Sequence, residues 1–137
     1  MMKHLKNWPH LYCIMAGCCD TATGLLLMFA PEWTLRIMGI PVIPSEPVYM
    51  QWIGAFVFSV GFSYLVPFAA RQREVRNARL RGMLEVTALV RFAVAAFILT
   101  AVLRGSLVSA WLSVFFTDLI FAVIQVVILK SGALLDD

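Results

Sequence analysis

Three ionisable residues lie deep inside long apolar runs: Asp20 within residues 11–30, Arg91 within 82–103 and Asp118 within 105–129. A charged side chain at the centre of a bilayer costs at least ~3 kcal/mol, so such groups turn inward and pair. One guanidinium is a planar fork that can serve two carboxylates at once. The sequence therefore predicts an Asp20–Arg91–Asp118 cluster that ties three helices together. Two negative charges stand there against one positive. The surplus needs a shared proton, a cation or a partner group. Such a cluster has two uses. It can be a proton- or cation-coupled site, or a polar clamp that fixes helix register with one carboxylate protonated. In so small a bundle the clamp is the favoured reading.

Neighbouring positions extend this pattern. Seven residues make about two helical turns, so Cys13 shares a face with Asp20, and Gln125 with Asp118. Thr87 lies one turn before Arg91. Glu85 falls at roughly the depth of Gln125, which makes these two a candidate secondary polar site unless Glu85 reaches the interface instead. Gly17 and Gly24 flank Asp20, and Gly54 and Gly61 repeat that spacing in another run. Paired small residues let helix backbones approach closely in a membrane, so all four are candidate packing positions.

Other chemistry is sparse. The two histidines, His4 and His10, precede the first apolar run, so no intramembrane histidine pair is available for a b-type haem. His10 is read as a head-group-level polar residue rather than a pigment or metal ligand. Cys13, Cys18 and Cys19 form no Cys-x-x-Cys pair, which leaves a redox role weakly supported. There is no glycine-rich phosphate loop, zinc spacing or serine nucleophile elbow. The expectation is a protein without catalytic residues, metal or cofactor.

The elements that must position these residues follow from composition. The 137 residues are 61% hydrophobic and only 14% charged, and mean hydropathy is +0.86. That is too little polar surface for a soluble enzyme, a disordered tail or a free nucleic-acid-binding module. Each of four runs can cross a hydrocarbon core of about 30 Å at about 1.5 Å per residue. They are continuous rather than alternating, which excludes a β-barrel. The fold class is all-α, a single integral membrane four-helix bundle over 1–137, with helices at about 9–30, 47–70, 82–103 and 106–130. Pro31, Pro41, Pro44 and Pro47 break the chain after the first helix. Between them, residues 32–40 could form a short interfacial helix anchored by Trp33, Leu35 and Met38. Gly105 marks a turn that makes the last two helices antiparallel neighbours.

Charge sets the expected orientation. Lys3, Lys6, Arg71, Arg73, Arg76, Arg79, Arg81 and Lys130 fall on one side, Arg36 and Arg104 on the other, and Arg91 inside. The positive-inside rule then places both termini in the cytoplasm. The basic stretch 71–81 is read as a cytoplasmic loop touching anionic lipid head groups, with no nucleic-acid partner. Lys3 and Lys6 before an apolar stretch resemble a signal peptide. The length of that stretch, Asp20 and a poor cleavage site at Ala30 make it a retained first helix.

In size, in its Thr23-Gly24-x-x-Leu27 stretch before a proline, and in Glu85 ahead of a small-residue helix, the chain resembles the DoxX-like group of small membrane proteins. That resemblance implies the four-helix architecture and carries no functional residue across. Small multidrug transporters also have four helices and an acid in the first. They are shorter, and Arg91 facing a second acid, Asp118, does not look like them. The expected role is an accessory or assembly subunit of a larger complex in the bacterial inner membrane, in contact with lipids and with other subunits or a second copy. The alternative is a small proton-coupled carrier or small-molecule binder using the cluster, and a third option is a small redox partner.

Overall fold

The computed structural model describes residues 7–135, so Lys3, His4 and Lys6 lie outside the described residues. All regular structure among those residues is helical. Helix α1 spans Trp8–Phe29, α2 Pro31–Ile37, α3 Pro47–Leu65, α4 Arg73–Leu103 and α5 Leu112–Ser131. A 3-10 turn at Val66–Ala69 extends α3, and another at Ser109–Trp111 leads into α5. Including those turns, α1, α3, α4 and α5 are long and apolar enough to cross a membrane.

Local chemistry explains the boundaries. Pro9, Pro31 and Pro47 each sit in the first turn of their helix, where a missing N–H costs nothing. Helices α2 and α4 both close on a glycine with positive φ. Gly39 N–H donates to Arg36 O and Ile40 N–H to Leu35 O, and Gly105 N–H and Ser106 N–H repeat this to Val102 O and Ala101 O. Both are Schellman closures, which use the last orphan carbonyls of a helix.

Two boundaries correct the sequence reading. The stretch 71–81 is not a loop: α4 begins at Arg73, so the connection shrinks to residues 70–72. Arg, Glu, Leu and Ala are strong helix formers, and hydropathy alone stops a span wherever charge begins. At 31 residues α4 is about 46 Å long and outreaches a hydrocarbon core of about 30 Å. The last helix starts at Leu112 rather than near residue 106, because Val108 is extended and the chain turns through Ser109–Trp111 first.

The short helix α2 is present, but Leu35 does not anchor it in lipid. Leu35 is buried with Leu27, Ile40 and Met50, and Met38 and Trp111 pack on that cluster. Only Trp33 of the three expected anchors is exposed.

The bundle is built from two antiparallel pairs, α1 with α3 and α4 with α5, which make by far the most extensive contacts. In α1–α3 the four glycines oppose one another. A Cβ on Gly24 would overlap the backbone of Phe58, and one on Gly61 would overlap Thr21 N. A Cβ on Gly54 would come within 2.8 Å of Gly24 O, and one on Gly17 within 2.9 Å of Tyr64 Cβ. Phe56 and Phe62 point outward. The inward stripe of α4 is Asn77, Leu80, Leu84, Thr87, Ala88, Arg91, Ala95 and Ile98, close to a seven-residue repeat. Cys13, Ala16, Tyr64, Leu80, Leu84 and Ile128 fill the core between the pairs at the basic end.

Candidate functional site

Arg91 lies near the middle of α4 and is 5% exposed. Its Nη1 donates to Asp118 Oδ1 of α5 at 2.6 Å, its Nη2 donates to Asp20 Oδ2 of α1, and its Nε donates to Tyr64 Oη of α3 at 3.3 Å. One side chain on α4 therefore reaches each of the other three long helices. The two carboxylates take separate terminal nitrogens, so the fork is divided between them. The guanidinium carbon also lies 4.8 Å from the centroid of the Phe121 ring and 5.9 Å from that of Tyr64. Aromatic faces at these distances attract the cation and fill the space beside it.

A second polar group adjoins the first. Gln125 is fully buried. Its Nε2 donates to Tyr12 Oη at 3.1 Å and to Tyr64 Oη, and Thr87 Oγ1 lies 3.3 Å from its Oε1. Tyr12 donates onward to the Phe121 carbonyl at 3.2 Å. Tyr64 accepts from both Arg91 and Gln125, so the ion pairs and the amide form one network through its oxygen. Buried polar atoms linked in this way hold one arrangement of helices, because leaving any of them unpaired costs about 1–3 kcal/mol.

Asp20, Arg91 and Asp118 are thus brought together, and of the two alternatives for Glu85 the structure shows the outward one rather than a pairing with Gln125. The Glu85 side chain is 59% exposed and sits 3.6 Å from Arg81 one turn earlier. Position 85 falls outside the inward stripe of α4, whereas Thr87 falls on it and reaches Gln125 instead. Tyr12 and Tyr64 are the residues that the sequence reading missed. The available signal was a phenol inside an apolar run, since a buried Tyr hydroxyl needs a partner; Tyr64 also lies one turn beyond Gly61, on the face packed against α1.

The remaining candidates separate. Cys13 is buried in the apolar core, while Cys18 and Cys19 are exposed and free. Among the described residues no group of three or more His, Cys, Asp or Glu side chains could hold a metal ion. The basic residues divide between two clefts, Arg73 and Arg76 beside α1, and Arg71 and Arg79 beside Ala69 and Val75. Arg81 takes Glu85.

Chemically, the triad can hold the two helix pairs in register and can retain a proton or cation against its surplus negative charge. No protein-family model, curated protein or solved structure matches the chain.

Proposed function

We propose that this chain is a non-catalytic multi-pass protein of the bacterial inner membrane, acting as an accessory or assembly subunit of a larger membrane complex. The observation that carries this reading is that Arg91 alone bonds to α1, α3 and α5. The polar groups of the Arg91–Gln125 network are spent on one another, and what the molecule offers outward includes a broad apolar surface: Trp52, Phe56, Phe62, Leu89 and Phe97 are all exposed. A rigid body with an apolar surface works through the helices or lipids it touches. The DoxX-like resemblance agrees with such a role in architecture alone. Purification in mild detergent tests it. Co-migration with a defined set of larger membrane partners is expected, and a clean monomer or dimer would count against the subunit role.

A second reading, a small proton-coupled carrier, is favoured by one specific observation. Asp20 and Asp118 share a single guanidinium, and each side chain retains 16% exposure, so the surplus charge is within reach of a proton. Asp20→Asn and Asp118→Asn separate the readings. Under the clamp, the better tolerated variant folds and keeps its partners; under the carrier, it folds but no longer moves protons in proteoliposomes.

A further inference from the structure

At the basic end of the molecule, the start of α1 meets the first turns of α4 across an open cleft of about 480 Å³. Its polar wall is Asn7, His10, Arg73 and Arg76, and its apolar wall is Leu11, Ile14 and Phe68. The two kinds of residue are ordered along α1. Asn7 and His10 come first, and Leu11 and Ile14, both exposed, follow toward the middle of the span. That is the layout of an amphiphile standing in one leaflet, with its anionic head at the arginines and a chain running toward the midplane.

Two nitrogens in this wall are buried with no hydrogen-bond partner among the described residues, His10 Nδ1 and Arg76 Nε. The His10 ring is held in place: its Nε2 donates to Asn77 Oδ1 at 2.9 Å, and it meets the Phe68 ring edge-on. Arg76 Nε carries a hydrogen that it cannot give up, so its missing partner is an acceptor. Buried donors nearly always have one. A phosphate oxygen supplies that acceptor and neutralises the cationic wall.

We propose that this cleft binds one anionic phospholipid, its phosphate on Arg76 beside Arg73 and an acyl chain along Leu11 and Ile14. The site rests on the membrane location proposed above and is independent of the subunit role.

Native mass spectrometry of the full chain, recovered from membranes and offered equal phosphatidylglycerol and phosphatidylcholine, tests it. One retained phosphatidylglycerol per chain is expected. Arg76→Gln should weaken retention roughly fivefold or more, the scale of one basic contact to an anionic lipid. Arg76→Lys keeps the charge but lacks Nε and should also weaken it, whereas Arg79→Gln, in the neighbouring cleft, should leave it unchanged. Equal losses in Arg76→Gln and Arg79→Gln, or full retention in Arg76→Lys, would overturn the site in favour of diffuse attraction. Inorganic phosphate binding as tightly as the lipid, with Leu11→Ser without effect, would overturn a lipid occupant. Recovery of the chain in the soluble fraction would overturn the membrane location and the site together; recovery from membranes without selective retention would overturn the site alone.

Discussion

At the scale of single residues, Arg91 is the position on which most depends. Its side chain is 5% exposed and bonded to three helices. Removing one partner from a buried ion pair typically costs about 3–5 kcal/mol, because the charge left behind is uncompensated. Arg91→Ala should therefore lower folded yield and melting temperature well beyond Arg104→Ala, whose side chain lies at the exposed end of α4. Equal, small effects of the two would remove the cluster as a structural centre. Arg91→Lys should recover only part of the loss, since an ammonium on a flexible stem is a point charge and not a fork. Tyr64→Phe makes a separate test of the network. It deletes the oxygen that accepts from both Arg91 and Gln125, and should cost about 1–3 kcal/mol in thermal or denaturant unfolding without altering the apolar packing. A neutral Tyr64→Phe would mean that the ion pairs stand without the amide.

At the scale of elements, the glycines decide which helices pair. Gly24 and Gly61 leave no room for a methyl group, since a Cβ at either would overlap backbone of the facing helix. Gly24→Ala or Gly61→Ala should cost about 1–3 kcal/mol or more, as overpacking does where backbone must move, and Gly61→Leu should disrupt the α1–α3 pair outright. Gly82→Ala is the internal control. Its Cβ meets nothing within 4 Å, and exchanging glycine for alanine inside a helix should be neutral or stabilising by up to about 1 kcal/mol. Phe56 and Phe62, facing outward on α3, should tolerate exchange for Leu. Fluorescence-detected size exclusion of these six variants after graded heating reads all the outcomes together, and a stable Gly24→Ala would show that the helices separate more readily than their contacts imply.

At the scale of the whole molecule, the charge distribution makes a prediction about orientation. By the positive-inside rule, the distribution of Lys and Arg predicts that both ends of the chain and the connection at residues 70–72 are cytoplasmic. Reporter fusions after Lys130 and at Gln72 should both read cytoplasmic, and one at Glu46 external. A cytoplasmic signal at Glu46 would overturn that orientation. The two clefts and Lys130 then lie at one end, with the α2 lid over Leu27 and Met50 at the other.

The four long apolar helices and the meeting of Asp20, Arg91 and Asp118 were legible in the one-dimensional pattern. Bilayer thickness, helical rise and the cost of a buried charge act on each segment separately, so hydropathy and spacing suffice to read them. The start of α4 was not legible this way, because its first turns are charged and are held as helix by propensity and by Asn77 and Leu80 continuing the inward stripe. The turn at Gly105 announced α4 and α5 as antiparallel neighbours, and their extensive contact agrees, but nothing in the sequence said that α1 pairs with α3. Four glycines at matching spacing promise a close contact, yet which backbone fills the gap depends on how two surfaces fit together in space. The same holds for Arg91. Its need for partners follows from its charge, but the addition of Tyr64 to Asp20 and Asp118 depends on the rotation of α3 and α4 about their axes, which packing against neighbours sets and no single segment encodes.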